Sequence, residues 1–173
     1  MLMLDLETLG TKPGCVILQI AAVEFEGEAI TDHFDVKIDI KSCLEAGLYI
    51  DTETLKWWSQ QENIGNVMTG TASLRETLDA FSMWVARCEP GEIWANGASF
   101  DFPILAAAYE KVGLEQPWNF WDERCLRTVR GLSGVEDLTE RVGLAHDAMS
   151  DCKYQVANLE YHLSHLIHTG RHL

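Results

Sequence analysis

Positive charge is scarce in this sequence. Its 13 lysines and arginines stand against 27 aspartates and glutamates, which gives a formal net charge of −14 at pH 7. Proteins that coat nucleic acid duplexes usually carry basic patches, because lysine and arginine release the counterions that are condensed on phosphate. The charge balance therefore argues against a duplex-coating protein of high affinity.

Long apolar runs and paired cysteines are also missing. No stretch approaches the roughly 18–20 apolar residues that a membrane span needs. The apolar residues 1–4 run at once into Asp5, whereas a signal peptide needs a longer apolar core and a cleavage site. The five cysteines form no Cys-x-x-Cys pair, so zinc-ligand spacing is absent and reduced thiols are expected. These absences predict a cytoplasmic protein without a membrane partner.

Proline is rare, at 4 residues, and the chain shows no repeat, linker or low-complexity tract. With 47% hydrophobic residues, positions 1–173 are expected to form a single domain. Apolar and alternating stretches predict strands at residues 1–6, 16–26, 29–38, 92–96 and 118–121. Helical patterns occur at residues 52–61, 73–88, 102–112, 126–132 and 148–168. A strand meander followed by alternating strands and helices predicts an α/β fold with a mixed sheet flanked by helices.

Two acidic residues interrupt the first predicted strand. Asp5 and Glu7 are two positions apart, so both side chains point to the same face of a strand. A buried pair of like charges is costly unless a cation neutralises it, which makes this pair a candidate metal site. The alternatives are a solvated strand end or an ion pair with Lys12.

A third acidic residue, Asp101, comes shortly after the predicted strand that ends at Asn96. The Asn96-Gly97 turn aims this segment at the end of the sheet, where ligand sites of open sheets lie. The alternative is an ordinary acidic residue in the first turn of a helix, stabilised by the helix dipole.

His146 and Asp151 flank the start of the last predicted helix, so both side chains can reach one cleft. The unperturbed histidine pKa of about 6.5 suits a general base near neutral pH, although a lone surface histidine is the alternative. If Asp5, Glu7, Asp101 and Asp151 converge, their hard oxygen ligands suit Mg²⁺ or Mn²⁺. Two such ions about 3.5–4 Å apart can hold the attacking and leaving oxygens of a phosphodiester cleavage.

Three motifs of the chain resemble those of the DEDD superfamily of 3′→5′ exonucleases. They are Asp-Leu-Glu-Thr at residues 5–8, Asn-Gly-x-x-Phe-Asp at 96–101 and His-x-Ala-x-x-Asp at 146–151. The histidine marks the DEDDh branch, since the tyrosine branch would need tyrosine at position 147, which is aspartate. The resemblance runs from residue 3 to residue 160 and looks most like a phage and prophage group with ribonuclease AS and exonuclease VIII-like proteins.

The resemblance implies a fold, a metal site and an activity. The fold is ribonuclease-H-like, with a five-stranded sheet in the order 3-2-1-4-5 whose first three strands are antiparallel. Asp5, Glu7, Asp101 and Asp151 would hold two Mg²⁺ or Mn²⁺ ions, and His146 would take the proton of the attacking water. The reaction would release nucleoside 5′-monophosphates from the 3′ ends of single-stranded DNA or RNA, in the host cytoplasm if a phage encodes the chain.

Four further residues and one arginine are candidates for substrate contact. The backbone of Thr8 and Leu9 directly follows the first motif and is expected to meet the terminal nucleotide. Of two adjacent tryptophans, position 57 is assigned to the core and Trp58, with Gln61 one turn on, to base contact.

Arginines at every third position form a basic stripe on a predicted helix. They are Arg124, Arg127 and Arg130. Arg127 is the candidate for phosphate contact, and the alternative is a solvated face that pairs with nearby acids.

Several other polar residues are expected to lie on the surface. The C-terminal histidines drift around a helix and are assigned an exposed or partner-facing role, and two remaining aspartates are left as surface residues. These are His162, His165, His168, Asp122 and Asp137. The oligomeric state stays open, and a homo-dimer or higher homo-oligomer is one alternative because some of the six tryptophans would suit an interface between subunits.

Two other functions fit part of the pattern. One is a catalytically idle ribonuclease-H-like module that binds a partner protein, for which the net charge is suitable. The other is a hydrolase of very short oligonucleotides, which needs little basic surface. The presence of all five candidate site residues favours the exonuclease, and the choice between DNA and RNA stays open because no residue is assigned to the 2′-hydroxyl.

Overall fold

The computed structural model describes residues 1–137, 141 and 143–168, without the side chains of residues 167 and 168. Its strands are Leu2–Thr8 (β1), Ile17–Glu26 (β2), Ala29–Lys37 (β3), Ile93–Ala95 (β4) and Glu123–Cys125 (β5). Its helices are Ile40–Glu45 (α1), Thr52–Trp58 (α2), Ile64–Val67 (α3), Leu74–Cys88 (α4), Ala98–Val112 (α5), Leu126–Ser133 (α6) and Ala148–His168 (α7).

The five strands form one sheet in the order β3-β2-β1-β4-β5. β1 pairs with β2 and β2 with β3 in antiparallel register, whereas β4 lies parallel to β1 and β5 lies parallel to β4. The predicted α/β class, the strand order and the mixed sheet flanked by helices are therefore confirmed. This is the ribonuclease-H-like arrangement.

β1 is the central strand, and its alternation divides the core into two layers. Leu2, Leu4 and Leu6 point into the larger apolar cluster, which includes residues of α4 and α5. Met3 points to the opposite face, into a cluster with residues of α6 and α7. Because side chains alternate along a strand, Asp5 and Glu7 share the face of Met3. The sheet therefore directs both carboxylates toward the layer that contains α7.

The predicted position of the fifth strand was wrong. Residues 118–121 contain the buried Trp118 and lead into a short 3₁₀ turn, Phe120–Asp122, and β5 begins only at Glu123. Asp122 accepts hydrogen bonds from the backbone and side-chain nitrogens of Asn119, which closes the turn. The aromatic residues that suggested a strand thus belong to a turn, and Phe120 lies largely exposed.

α5 begins at Ala98, four residues before the predicted start. In the structure Pro103 lies inside the helix, and Asp101 falls in its first turn. The short helices α1 and α3 were not predicted, since neither is long enough to show a clear helical period.

The surface assignments near the C-terminus were partly wrong. His162 is only 1% exposed, and its Nδ1 lies 2.8 Å from the hydroxyl oxygen of Ser133. Asp137 is half-buried and accepts a hydrogen bond from the Tyr154 hydroxyl, while Arg130 forms an ion pair with it. α7 packs on α6, which covers the groups that were expected to be solvated. The side chain of His168 lies outside the described part of the chain.

In the part of the chain that the structure describes, no helix combines the length and apolar character that a bilayer crossing requires. All five cysteines are unpaired, and Cys15, Cys43 and Cys152 are buried.

Candidate active site

One cleft of about 740 Å³ opens beside the ends of β1 and β4. Its walls come from the end of β1, from α2, from the turn between β4 and α5, and from α6 and the first turns of α7. All of the motif acids and the motif histidine line this cleft: Asp5, Glu7, Asp101, His146 and Asp151. The structure therefore brings together residues that are up to 146 positions apart in sequence.

Asp5 and Glu7 form the floor of the cleft on β1. Desolvation raises the pKa of Asp5 well above its usual value, and the nearby charges of Asp101 and Glu7 raise it further. Desolvation, and then the charges of Asp147 and Asp101, raise the pKa of Glu7 to about 8. These carboxyls are held close together without enough positive charge around them.

Asp101 is 4% exposed and lies in the first turn of α5, next to β1. Desolvation raises its pKa to about 7, although the backbone N–H of Leu6 donates to the carboxylate and Arg127 contributes positive charge. The hydrogen bond from Leu6 ties the second motif to the first one. Burial therefore disfavours the ionised form of all three carboxyls of the floor, and a bound cation would stabilise that form.

His146 lies above the floor in a strained backbone conformation. Its φ is +59°, in the left-handed region that few residues other than glycine adopt. The side-chain nitrogen of Asn63 donates to the carbonyl oxygens of His146, at 2.6 Å, and Ala145, at 3.0 Å, which holds this turn. The His146 ring lies edge-on to Trp57 at a centroid distance of 4.8 Å. Desolvation, followed by the charge of Arg141, lowers the pKa of His146.

The start of α7 is tied to the sheet by Gln19, which sequence reasoning missed. Gln19 is fully buried on β2, where its Nε2 donates to Asp147 at 3.3 Å and its Oε1 accepts from the backbone N–H of Ala148. Asp147 also accepts hydrogen bonds from the backbone N–H and hydroxyl of Ser150. A glutamine inside a run of apolar residues was the signal that could have revealed it.

Asp151 lies in the first turn of α7 and completes the set of carboxylates. Ligand atoms of Glu7, His146 and Asp151 all lie within 4.8 Å of one another. Two side chains hold the neighbouring acids: Gln155 Nε2 donates to Asp5 Oδ1 at 2.6 Å, and Arg141 forms an ion pair with Asp151. Neither Gln155 nor Arg141 belongs to a motif, so the sequence offered no direct sign of their roles.

The expectation for the two tryptophans is reversed. Trp58 is 1% exposed, and its Nε1 donates to the carbonyl oxygen of Thr8 at 2.9 Å. Trp57 is 40% exposed at the mouth of the cleft. A helix turns about 100° per residue, so only one of two adjacent rings can pack against the sheet, and the hydrogen bond to Thr8 selects Trp58. Trp57 is therefore the ring that a substrate can reach.

Two other expected substrate contacts are displaced from the cleft. Leu9 is 1% exposed, its N–H donates to Val16 and its carbonyl oxygen accepts from Asp51. Gln61 lies outside the cleft lining, and its side chain donates to the carbonyl oxygen of Trp57. Thr8 does line the cleft, and its hydroxyl donates to the carbonyl oxygen of Gly10.

The basic stripe divides in two. Arg127 and Arg130 line the cleft, whereas Arg124 pairs with Glu92 away from it. A Cβ atom at Gly97 would lie 3.1 Å from Nη1 of Arg127, so glycine at this position leaves room for the guanidinium. Arg127 is thereby held beside Asp101 and open to the cleft.

The donor set fits divalent metal. The cleft presents carboxylate oxygens from three segments of the chain, and the raised pKa values of its floor show a deficit of positive charge. Carboxylates of this kind prefer hard cations such as Mg²⁺ and Mn²⁺. The imidazole of His146 sits at the rim of this set, among the ligand atoms of Glu7 and Asp151.

Fold and site together define a DEDDh-type nuclease, and comparisons with known proteins agree. Residues 1–163 match the family described as the 3′-5′ exoribonuclease Rv2179c-like domain, and the chain belongs to that family. It is a member of the DEDDh exonuclease superfamily, as its motifs suggested, and an enzyme that hydrolyses nucleic acid. An exodeoxyribonuclease of Enterobacteria phage T4 is 24% identical over 204 residues, covering 92% of this chain and 87% of the relative.

Solved structures of low identity share the fold. The nuclease domain of 3′hExo, a DEDDh family member bound to rAMP, superimposes with a TM-score of 0.62 at 11% identity, covering 98% of this chain and 92% of that one. Exonuclease X in complex with 5′ overhanging duplex DNA gives 0.61 at 17% identity, with coverage of 99% and 93%. Exonuclease I of E. coli in complex with a dT13 oligonucleotide gives 0.67 at 14% identity, covering 98% of this chain and 42% of that one.

Proposed function

We propose that residues 1–173 form one exonuclease domain that uses two divalent ions, Mg²⁺ or Mn²⁺, to remove nucleotides from single-stranded 3′ ends. The observation that carries this proposal is the convergence of Asp5, Glu7, Asp101, Asp151 and His146 in one cleft. The products are nucleoside 5′-monophosphates. Membership of a 3′-5′ exoribonuclease family and the likeness to a phage exodeoxyribonuclease support the reaction and leave DNA and RNA as competing substrates.

The four carboxylates are the proposed metal ligands. When bound there, divalent ions supply positive charge to the attacking water and to the departing 3′-oxygen. The charges of both Asp101 and Glu7 raise the pKa of Asp5, so Asp5 is the acid whose charge a bound divalent ion would offset most directly. Gln155 orients Asp5 through its 2.6 Å hydrogen bond.

His146 is the proposed general base. Its lowered pKa keeps the imidazole neutral near pH 7, which is the form that accepts a proton. The ring sits beside Glu7 and Asp151, at the edge of the ligand set where an attacking water would lie. The hydrogen bond from Asn63 to the carbonyl oxygen of His146 fixes the backbone, and the contact with Trp57 holds the ring beside that position.

Single-stranded substrate is favoured by the shape and charge of the cleft. Trp57 offers an exposed ring on which a base can stack, and base stacking on an aromatic ring contributes about 1–3 kcal/mol. Arg127 and Arg130 supply positive charge where α6 lines the cleft. With a net charge of −14, the rest of the molecule offers little attraction to a long duplex.

A gel assay with matched DNA and RNA strands, labelled at either end, tests the proposal. With Mg²⁺ or Mn²⁺, 5′-labelled strands should shorten one nucleotide at a time, and 3′-labelled strands should release labelled mononucleotide at once. Chelator should abolish both. Internal fragments from the first time point, or shortening from the 5′ end, would contradict the assignment.

The same assay separates the two alternatives. Turnover of dinucleotides with little turnover of longer strands would indicate a hydrolase of very short oligonucleotides. No turnover with either metal, together with a folded protein, would indicate a binding module. Asp122→Asn is a matched control for the site variants, because this acid caps a turn outside the cleft.

A further inference from the structure

Arg141 enters the cleft from outside the three motifs. It lies five positions before His146, lines the cleft and forms an ion pair with Asp151. The side chain is 38% exposed, and its guanidinium carbon lies 5.2 Å from the ring centroid of Tyr154. Cation–π attraction of this kind favours positions of the guanidinium beside the ring.

The charge of Arg141 reaches both acids of β1 and the motif histidine. It lowers the pKa of both Asp5 and Glu7, in opposition to the desolvation that raises them. It also lowers the pKa of His146. Arg127, on α6, lowers the pKa of Asp101 in the same way. Arg141 thus provides part of the positive charge that the acids need in the absence of metal.

A metal ion at Asp151 and the ion pair with Arg141 compete for the same carboxylate. Two cations that share one carboxylate repel each other, and solvent screens this repulsion less at Asp151, whose side chain is 13% exposed, than at a fully exposed acid. The planar guanidinium, by contrast, matches a phosphate group with two parallel hydrogen bonds. The cleft is where the proposed function places a phosphate, so a guanidinium released from Asp151 has a partner within reach.

We propose that Arg141 is a substrate-binding residue that Asp151 holds in place until metal is bound. In the metal-free protein its guanidinium neutralises Asp151. Once Asp151 serves as a metal ligand, the guanidinium turns, still resting on Tyr154, to a non-bridging phosphate oxygen of the nucleic acid strand. This inference rests on the proposed function. It assigns to Arg141 two opposite effects, since the side chain weakens metal binding and strengthens substrate binding.

Arg141→Gln tests both effects in the full-length protein. Mn²⁺ binding without nucleic acid, measured by calorimetry, should strengthen about threefold to tenfold, because a competing cation is gone. KM for a single-stranded oligonucleotide should rise about tenfold or more, because a charged hydrogen bond to phosphate is lost. A residue that only supports the fold would weaken both kinds of binding or neither.

Two further variants complete the test. Arg141→Lys keeps the positive charge but loses the planar guanidinium that donates two parallel hydrogen bonds to phosphate. It should leave Mn²⁺ affinity near wild type and raise KM by less than Arg141→Gln. The lysine variant also replaces the glutamine variant in the test if the latter fails to fold. Arg124→Gln is the matched control, since Arg124 pairs with Glu92 outside the cleft and should change neither quantity.

The outcomes are separable from those of the proposed function. Unchanged or weaker Mn²⁺ binding in Arg141→Gln, or an unchanged KM, overturns the role of Arg141 even if the wild-type protein is an active exonuclease. A wild-type protein without nuclease activity overturns the proposed function and, with it, the phosphate role. The calorimetric comparison then still shows whether Arg141 and metal compete for Asp151.

Discussion

The floor and the rim of the cleft hold their functional groups in different ways. On the floor, Asp5 and Glu7 belong to a central strand and Asp101 to a helix tied to it by the N–H of Leu6. At the rim, His146 lies in a turn with positive φ, and Arg141 pairs with a metal-ligand candidate. The floor is therefore fixed by the sheet, while the rim depends on a few side-chain contacts.

Because of this difference, we expect the floor to determine the affinity for metal and the rim to determine turnover and substrate affinity. The floor acids are desolvated and repel one another, so a cation should bind there strongly. The rim groups are partly solvated and can exchange partners during a reaction cycle. Substitutions on the floor should act on metal binding first, and substitutions at the rim should act on turnover or substrate affinity.

The largest effect is expected for the floor variant Asp5→Asn. Turnover should fall more than about a hundredfold, since changes to residues that merely orient the ligands already cost metal sites about 10–100-fold. The metal-free protein should unfold at an equal or higher temperature, because one desolvated carboxylate has been removed. Turnover on a labelled oligonucleotide and thermal melting with chelator check these points, with Asp122→Asn as control. Residual activity above a few per cent of wild type would contradict the role of Asp5.

His146→Ala probes the rim. Loss of a general base lowers kcat by about 10²–10⁴-fold, and Mn²⁺ affinity should stay within about threefold of wild type. Calorimetry and steady-state kinetics measure the two quantities. If Mn²⁺ affinity falls as far as kcat does, the imidazole is a metal ligand and the separation between floor and rim does not hold.

Alanine variants of Trp57 and Trp58 compare the exposed side of α2 with its buried side. Trp57→Ala should raise KM for single strands about tenfold, because a base loses its stacking partner, with little change in stability. Trp58→Ala should instead destabilise the fold by about 3–5 kcal/mol, as expected for removal of a buried tryptophan. Kinetics and urea unfolding distinguish them. The opposite pattern would restore the assignment made from sequence.

A smaller effect is expected in the pH dependence of stability without metal. The folded-state pKa of Glu7 is about 8 and that of Asp101 about 7, both above their unfolded values. The folded protein therefore binds more protons between about pH 5 and pH 8, and its free energy of unfolding should fall as pH rises through that window. The lowered pKa values of His146 and His162 act in the opposite direction and leave the net fall modest.

Urea unfolding with chelator at several pH values measures this dependence. Glu7→Gln should flatten the curve, since a carboxyl whose pKa is raised to about 8 is removed. Added Mn²⁺ should abolish the fall in wild type. A stability that rises steadily from pH 5 to pH 8 would contradict the picture of a floor short of positive charge.

The sequence predicted those features of the fold that are set by residues close together in the chain. The alternation around Asp5 and Glu7 placed both acids on one face of a strand, and the meander followed by strand–helix alternation indicated the mixed sheet. Contacts across the fold could not be predicted in this way. The choice between Trp57 and Trp58 depends on a hydrogen bond to Thr8, fifty residues away.

The same reason accounts for the other differences. His162 was assigned an exposed or partner-facing role from the spacing of the C-terminal histidines, and that spacing does not reveal its partner Ser133 on another helix. Residues 118–121 have the composition of a strand, but the bonds between Asn119 and Asp122 close them into a turn. Arg141 and Gln155 reach the site from positions that carry no motif, so only their contacts with Asp151 and Asp5 in the folded chain reveal them.

The most direct test of the account is a crystal structure of the protein soaked in Mn²⁺, with anomalous scattering used to locate the metal. We expect two peaks in the cleft, about 3.5–4 Å apart, with Asp5 in contact with both. Glu7, Asp101 and Asp151 should supply the remaining carboxylate ligands. A cleft without anomalous density at saturating Mn²⁺, or peaks that avoid Asp5, would contradict it.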